Sequence, residues 1–262
     1  MRDQFTVLGL LYGDHAVLAR RLLSSWSRYI KPRDGVARFC IGLNSVCDET
    51  VNLVHEFANG LPDGVSCSTY AADNPGKYPV MRRMLYDTDR PIRTPYVMWF
   101  DDDSALAASD VFRRIYPMLG GGVDLLGAHF RFKLRGGQPD YIRSRPWYSG
   151  MSVLNGRVES FIAGGWWVAR YSILEKWDYP WPELQHRGGD VMLGAMCRQQ
   201  HYRMAEYREG LLINANLDRQ NHKSDRRGRL SVPMLGQLYQ PAGFVMDTSF
   251  QDFECVVEDL RP

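Results

Sequence analysis

No apolar stretch in this sequence approaches the roughly 18 to 20 residues that a membrane-spanning helix needs. The first fifteen residues, MRDQFTVLGLLYGDH, contain one apolar run of only a few residues and no cleavage signature, so they do not resemble a signal peptide. The sequence therefore predicts a soluble protein, and we expect a cytoplasmic location.

Paired cysteines are also absent. The five cysteines are widely spaced, their number is odd, and no two of them form a C-x-x-C pair. This pattern argues against both a zinc site and a disulfide framework, and it fits a reducing compartment.

An excess of charge of either sign is missing as well. The formal net charge is +2, so bulk charge alone does not indicate a polyanionic partner, although local clusters can still bind one. Hydrophobic residues make up 45% and charged residues 24% of the 262 positions, which are ordinary globular proportions. A chain of this length forms one large domain or one domain with a small appendage.

What the chain does contain is a regular alternation of short apolar runs and amphipathic segments. The apolar runs that predict strands lie at 5–11, 37–43, 65–71, 96–100 and 123–130. The segments that predict helices lie between them, at 15–30, 48–59, 78–87 and 109–119. This order favours an α/β fold with a mostly parallel central sheet flanked by helices, in which ligands bind beyond the carboxyl ends of the strands.

The second half of the chain is less regular. Residues 131–150 are basic, aromatic and rich in Gly and Pro, which is typical of a long functional loop or a pair of short strands. Residues 160–177 predict a strand and then a helix, and 188–200 predict a helix that begins at Asp190. The segments 202–207 and 210–216 are expected to complete the sheet. We describe the chain as one domain with a first half at 1–130, a second half at 131–230 and a tail at 231–262.

Three consecutive carboxylates follow the fourth predicted strand, in YVMWFDDDSAL. Two carboxylates about 5 Å apart repel by about 3 kcal/mol at an effective dielectric constant near 20, so Asp101, Asp102 and Asp103 need a cation, hydrogen-bond donors or open solvent. Taken alone, the motif fits a metal site or an acidic turn in water whose Asp103 or Ser104 caps a helix.

Four motifs in order resemble those of glycosyltransferases with the GT-A fold, and among them the inverting family-2-like enzymes. The carboxylate triplet resembles their D-x-D, and the other matches are NSVCDET (44–50), NPGKYPVMRRML (74–85) and GGDVMLGAMCRQQHYRM (188–204). Each motif is weak alone, but the ordered set covers about residues 5 to 215. The resemblance implies a nucleotide-sugar-binding first half and an elaborated, acceptor-binding second half.

The resemblance further implies a divalent cation, Mn²⁺ or Mg²⁺, on the carboxylates. Asp103 would be the direct ligand, Asp101 would lie nearer the ribose or a metal-bound water, and Asp102 would accompany them. His222 resembles the late histidine that completes the metal site in many such enzymes. Hard oxygen ligands suit these ions, which stabilise a leaving diphosphate as Lewis acids.

The same resemblance implies that Asp190 is the general base that accepts the proton of the acceptor hydroxyl. An aspartate after two glycines at a helix start is equally compatible with an N-cap. The related enzymes usually place Glu before this aspartate, whereas this chain has Gly189.

Residues for the nucleotide sugar are expected at the strand ends and in basic segments. They are Leu11, Tyr12, Asn44, Lys77, Arg82 (or Arg83), Asp102, Lys223 and Arg226. Tyr12 is as compatible with ordinary packing as with stacking on a base, and the basic residues are as compatible with solvated faces. A basic segment at 218–230 would close over the diphosphate or remain a solvated loop.

Acceptor contacts are expected from Gly165, Trp166 and Trp147. Paired glycines let a substrate approach the backbone, and only one of Trp166 and Trp167 would face the acceptor because adjacent strand residues point to opposite sides. The basic and aromatic stretch around Trp147 would suit a polyanion, such as a modified nucleic acid or an anionic glycan.

The resemblance thus implies a metal-dependent inverting glycosyltransferase that uses a nucleoside-diphosphate sugar. A sugar-phosphate nucleotidyltransferase fits less well, because the loop after the first strand has one glycine and no basic residue. A non-catalytic nucleotide-sugar-binding module is the remaining alternative.

Overall fold

The computed structural model describes residues 4–186, 188–215, 239–240, 243–244 and 252–261. The helices are α1 (Ala16–Tyr29), α2 (Asp48–Asn59), α3 (Lys77–Leu85), α4 (Val111–Gly120), α5 (Gln138–Arg143), α6 (Tyr171–Lys176) and α7 (Gly189–Gln199), with a 3₁₀ turn at Pro32–Asp34. The strands of the main sheet are β1 (Phe5–Tyr12), β2 (Val36–Asn44), β3 (Ser66–Ala72), β4 (Tyr96–Asp101), β6 (Leu125–Lys133), β7 (Val158–Arg170), β8 (Met204–Glu206) and β12 (Cys255–Arg261). Short strands outside it are β5 (Ala105–Leu106), β9 (Leu211–Leu212), β10 (Tyr239–Gln240) and β11 (Gly243–Phe244).

The eight strands of the main sheet lie in the order β12-β3-β2-β1-β4-β7-β6-β8. The first four strands of the chain pair in parallel, as the alternation of strands and helices predicts. The long strand β7 then runs antiparallel between β4 and β6. Its amino-terminal half therefore extends past the carboxyl end of β4, which brings the second half of the chain to the edge where ligands bind.

Strand β4 supplies apolar side chains to both faces of the sheet. Trp99 packs into the core on the side of α3 and α7, where it stacks on Trp167 with ring centroids 6.0 Å apart. Met98 and Phe100 pack into the core on the side of α1, α2 and α4. Because side chains alternate along a strand, Asp101 lies on the same face as Trp99 and thus points toward α3 and α7.

Three segments differ from the sequence prediction. Residues 131–150, which were expected to form a long loop or a pair of short strands, contain the helix α5 (Gln138–Arg143). The tail contributes β12, which pairs antiparallel with β3 and forms one edge of the main sheet. In contrast, Leu211–Leu212 pairs with Ala105–Leu106 and lies outside the main sheet. The boundary at residue 130 between the two halves falls within β6 and stays a prediction.

The longest described helix is α1, with 14 residues. Among the described residues, no helix is both long and apolar enough to cross a lipid bilayer.

A buried ion pair fixes the orientation of α7 relative to β7. Arg198 donates two hydrogen bonds to Glu159, from Nε to Oε2 at 2.8 Å and from Nη2 to Oε1 at 2.9 Å. The Glu159 side chain is fully buried, and Arg157 provides a second guanidinium 3.2 Å away. Removal of one member of such a pair leaves a charge without a partner in a poorly solvated environment.

We therefore expect Glu159→Ala to lower the free energy of unfolding by about 3 kcal/mol or more. A matched control is Glu49→Ala, which removes an exposed pair with Arg20 and should cost about 1 kcal/mol or less. Urea unfolding of both variants measures the difference, and equal losses would contradict a structural role for the Glu159 pair.

Candidate functional site

The candidate site lies at the carboxyl edge of the parallel strands. Strands β1, β2 and β4 end there at Tyr12, Asn44 and Asp101, respectively, and the register pairs Tyr12 with Asn44. Trp166 of β7 pairs with Phe100, so Gly165 and Gly164 follow along β7 toward the same edge. The sheet thus gathers residues as distant in the sequence as Tyr12 and Trp166.

Asp101 is held by a lysine and a tryptophan. Lys77 Nζ lies 2.8 Å from each carboxylate oxygen of Asp101, and Trp99 Nε1 donates to Oδ1 at 2.8 Å. Lys77 Nζ also donates to the carbonyl oxygen of Gly164 at 2.8 Å. The ammonium group is nearly buried and lies 5.4 Å from the centre of the Trp99 ring. One cation therefore relieves the repulsion within the aspartate triplet and ties β4 to β7.

The backbone places Lys77 at this point. Lys77 is the first residue of α3, and Gly76 precedes it with φ +110°, in the region that favours glycine. A Cβ at residue 76 would lie 2.7 Å from the carbonyl oxygen of Gln185, which accepts a hydrogen bond from Tyr78 N. The start of α3 is thus packed against the segment that leads to α7.

Asp102 and Asp103 form a buried turn rather than the solvated acidic turn that the sequence left open. Their exposed fractions are 3% and 5%, and Ser104 N donates to the carbonyl oxygen of Asp101 at 2.9 Å. Strand β5 follows directly at Ala105, so neither Asp103 nor Ser104 caps a helix here. Ala215 N donates to the Asp103 carbonyl at 2.8 Å, which fixes the turn from the second half of the chain.

Asp190 lies across Gly164 from the Lys77–Asp101 pair. A Cβ built on Gly164 would be 3.0 Å from Lys77 Nζ and 3.7 Å from Asp190 Oδ2, so both groups approach the same stretch of backbone. Burial raises the pKa of the Asp190 carboxyl, opposed by the Lys77 charge and by hydrogen bonds from the Val191 and Gly164 amides. A raised pKa makes this carboxylate a stronger proton acceptor than an ordinary aspartate, which is a property that a general base requires.

The N-cap alternative for Asp190 is not what the structure shows. The N-cap of α7 is Gly188, in a left-handed conformation with φ +85°, and Asp190 is the second residue of the helix. Its Oδ1 accepts a hydrogen bond from the adjacent Val191 N at 2.9 Å. A Cβ on Gly189 would lie 2.4 Å from Cζ of Tyr78, so packing against α3 excludes the glutamate that related enzymes place there.

Gly165 packs against the segment 211–215. A Cβ on Gly165 would be 2.1 Å from Asn214 Oδ1 and 3.1 Å from Ser104 Oγ. Asn214 N donates to Ser104 Oγ at 3.2 Å, and Asn214 adopts φ +54°. The glycine at 165 therefore admits the Asn214 side chain, which occupies the position where an acceptor contact was expected.

Three residues at the ends of β1 and β2 were expected to bind the nucleotide, and the structure places their side chains in different environments. The Leu11 side chain is buried in the core, so only its backbone remains available for a ligand. Tyr12 is partly exposed, with its ring centroid 6.2 Å from that of His15. Asn44 is buried and donates from Nδ2 to Asn74 Oδ1 at 3.4 Å, whereas its Oδ1 accepts no hydrogen bond from the described residues.

The structure corrects the expectation for Arg82. Its guanidinium forms an ion pair with Asp178 at 2.8 Å and donates to the carbonyl of Pro180 at 2.9 Å. These contacts hold the turn after α6, so Arg82 is engaged away from the aspartate turn. Its neighbour Arg83 is exposed.

The structure also corrects the expectations for Trp147 and Trp166. Both side chains are fully buried, Trp147 against Trp181 and Trp166 between Phe100 and Tyr207. Trp166 and Trp167 do point to opposite faces of the sheet, but both faces are covered by core. Neither ring therefore presents a face to an acceptor.

His222, Lys223 and Arg226 lie outside the described residues, so the structure assigns them no place. Among the described residues, no group of three or more His, Cys, Asp or Glu side chains is arranged to hold a metal ion.

Three residues of the site were missed by the sequence analysis: Trp99, Ser104 and Asn214. Trp99 precedes Asp101 by two positions, so strand alternation alone places both on one face. Asn214 carries no comparable signal, because its contact with Gly165 depends on how the chain returns after β8.

We expect Lys77→Met to raise the pKa of Asp190 further, because the substitution removes the largest effect that opposes burial. Carbon-13 NMR titration of the Asp190 carboxyl measures the change, with Lys176→Met as a control that removes a lysine beside Trp177. Between the ordinary carboxyl pKa and the raised value, the folded state retains a proton that the unfolded state has lost. The contribution of Asp190 to the free energy of unfolding therefore falls as pH rises from the ordinary carboxyl pKa to the raised pKa. This pH range is wider in Lys77→Met. An unchanged or lower pKa would contradict the assigned proximity.

We expect Gly165→Ala to reduce stability by about 1 to 3 kcal/mol, because the new methyl group overlaps Asn214. A second change, Asn214→Gly, removes the overlapping side chain and suits the left-handed backbone, so it should recover part of the loss. Gly120→Ala, where no atom lies within 4 Å of the added methyl group, is the control. Additive losses in the double variant, measured by urea unfolding, would show that the two residues do not touch.

No protein-family model and no curated protein sequence matches this chain. Solved structures do match it. Residues 1–349 of Staphylococcus aureus TarS align over 79% of this chain and 58% of that chain, at 16% identity and a TM-score of 0.53. The structure of TarS 1–349 in complex with UDP-GlcNAc gives 14% identity and a TM-score of 0.52.

A second match is the mannosyltransferase PcManGT from Pyrobaculum calidifontis, in complex with GDP-Man and Mn²⁺. It aligns over 79% of this chain and 55% of that chain, at 17% identity and a TM-score of 0.51. The chain thus spans rather more than half the length of these solved structures. At this level of identity the likeness concerns the fold, and it confirms the GT-A fold for this chain.

Proposed function

We propose that the chain is a metal-dependent inverting glycosyltransferase that uses a nucleoside-diphosphate sugar. The observation that carries this proposal is the position of Asp190, a carboxylate with a raised pKa that faces Lys77 and Gly164 beside the aspartate turn. A base and a diphosphate-binding edge must be close together for a transfer reaction. The GT-A fold of the chain is compatible with that arrangement.

In the proposed reaction, Asp190 accepts the proton of the acceptor hydroxyl as its oxygen attacks the anomeric carbon. The bond from that carbon to the diphosphate oxygen breaks, and the nucleoside diphosphate leaves with the bonding electron pair. Attack from the face opposite the leaving group inverts the configuration. Desolvation of Asp190 raises the affinity of its carboxylate for the transferred proton.

The residues present fit a divalent cation of the Mg²⁺ or Mn²⁺ type, and the roles of Asp103 and Asp102 stay as the resemblance implies, whereas Asp101 contacts Lys77 and Trp99. Both oxygens of Asp101 are engaged by Lys77 and Trp99, so we assign the direct contact to Asp103 and an adjacent role to Asp102. Carboxylate oxygens suit these hard cations. When bound, the ion neutralises developing charge on the leaving diphosphate.

Asn44 and Tyr12 are proposed to bind the nucleoside. Asn44 Oδ1 is buried at the edge and has no hydrogen-bond donor among the described residues, so an N–H or O–H of the nucleoside is a suitable partner. The partly exposed Tyr12 ring lies at the paired position on β1. The neighbouring structures contain UDP-GlcNAc and GDP-Man, and we propose a donor of that chemical class.

For the acceptor we propose an anionic molecule, such as a modified nucleic acid or an anionic glycan. Of the basic residues in the 131–149 stretch, Arg143 and Arg145 are engaged by Asp140 and Glu183. Arg131, Lys133 and Arg135 are exposed and form no ion pair with the described residues. Acceptor binding that weakens steeply with salt would support this assignment.

We expect nucleoside diphosphate with Mn²⁺ to raise the melting temperature of the wild-type chain and of Asp190→Asn, but not of Asp103→Ala.

A panel of nucleotide sugars identifies the donor. The slow hydrolysis of this donor to free sugar and nucleoside diphosphate then serves as the activity measurement. Asp190→Asn should reduce that hydrolysis at least 100-fold, because it removes the base that activates water. Asp110→Asn, a change at the carboxylate that precedes α4 and pairs with Arg114, is the control.

Three outcomes separate this proposal from the alternatives. Binding without hydrolysis of any donor would indicate a non-catalytic binding module. Release of diphosphate from a nucleoside triphosphate and a sugar phosphate would indicate a nucleotidyltransferase. Normal turnover by Asp190→Asn would show that another group is the base.

A further inference from the structure

A polar cavity of about 430 Å³ lies at the amino edge of the sheet, opposite the candidate site. Its walls are the first residues of β1, β2 and β3, the segment 89–94 before β4 and the end of β12. Thr6 lines this cavity, whereas Tyr12 lies at the other end of β1. At the rise of an extended strand the two ends are about 20 Å apart, so the cavity is separate from the proposed donor site.

The cavity is rich in guanidinium groups. Four arginines line it, against two aspartates: Arg38, Arg90, Arg93 and Arg261, with Asp89 and Asp259. Hydroxyl groups of Ser66, Ser68 and Thr94 also line it. Guanidinium and hydroxyl donors are the groups with which proteins bind phosphate and other oxyanions.

One carboxylate of the chain itself is held by donors of this cavity. Asp259 of β12 accepts hydrogen bonds from Ser68 Oγ and from Arg90 Nε, both at 2.7 Å. The hydrogen bond from Arg90 lowers the pKa of the Asp259 carboxyl, which favours its charged form. These contacts fix β12 against β3, and Arg261 forms an ion pair with Asp63 at 2.7 Å, so that Arg38 and Arg93 are the two remaining arginines of the cavity.

Arg38 and Arg93 have no carboxylate partner within ion-pair distance among the described residues. Arg38 is partly buried and donates to neutral acceptors, namely the Arg90 carbonyl at 2.6 Å, Tyr70 Oη at 3.0 Å and Ser68 Oγ at 3.2 Å. Arg93 is exposed, and its side chain forms no hydrogen bond or ion pair with the described residues. Among the described residues neither of these two cations forms an ion pair, although the charge of Arg38 also acts on the Asp259 carboxylate.

We infer that this cavity is a second, metal-independent binding site for a small phosphorylated anion, with Arg38 and Arg93 as its principal contacts. Its volume is within the range of small-molecule sites and exceeds what a bare phosphate fills, so it would hold a pyrophosphate or a phosphate ester. The Arg38 guanidinium is positioned in advance by its three neutral acceptors, which lowers the entropic cost of binding. The site requires neither the aspartate turn nor Asp190.

The test is isothermal titration of the full chain with inorganic pyrophosphate, at low ionic strength and with EDTA to remove divalent cations from the donor site. The wild-type chain should bind, and Arg93→Gln should weaken binding about tenfold, as expected for the loss of one charge-assisted hydrogen bond. Because Arg93 is exposed and its side chain contacts no polar group of the described residues, this variant should keep the wild-type melting temperature. Arg38→Gln should weaken binding at least as much.

Two controls distinguish this site from general charge effects and from the donor site. Arg113→Gln removes a highly exposed arginine on α4, and Asp103→Ala disrupts the aspartate turn. Both should bind pyrophosphate like the wild-type chain. Absence of binding, equal weakening by Arg113→Gln, or loss of binding in Asp103→Ala would each overturn the inference.

Discussion

The Lys77 ammonium group sets the geometry of the carboxyl edge. It contacts both oxygens of Asp101 on β4 and the carbonyl of Gly164 on β7, and its charge acts on Asp190 in α7. Three elements from both halves of the chain thus depend on one nearly buried cation. Without it, the aspartate triplet would retain its internal repulsion and Asp190 would lose its main electrostatic stabilisation.

Strand β7 makes this arrangement possible because it runs antiparallel to β4 and continues beyond it. The carbonyl of Gly164 accepts from Lys77, and its amide donates to Asp190. In an extended strand, the amide and carbonyl of one residue point to the same side, so a single backbone unit contacts both side chains. A side chain at 164 would crowd Lys77, and one at 165 would displace Asn214. The paired glycines therefore serve internal packing, which differs from the acceptor approach that the sequence suggested.

Much of the first half was predictable because local periodicity determines it. The parallel strands, the helices between them and the aspartates at the end of β4 follow from apolar runs and their spacing. The position of Asp190 at the start of α7 also follows from its two preceding glycines.

Contacts between distant segments could not be predicted from local sequence patterns. The burial of Trp147 and Trp166 depends on Trp181 and Tyr207, which approach only in the folded chain. The engagement of Arg82 by the turn after α6 and the pairing of β12 with β3 are likewise contacts between distant segments.

The central claim is that the carboxyl edge holds a divalent ion against a diphosphate. A crystal structure of the chain with a nucleoside diphosphate and manganese tests it most directly, since manganese is identified by its anomalous scattering. The account predicts the nucleoside beside Tyr12 and Asn44 and the ion between the diphosphate and Asp103, with the Lys77–Asp101 pair intact. A nucleotide bound elsewhere, or an edge that holds neither the nucleotide nor the ion, would contradict it.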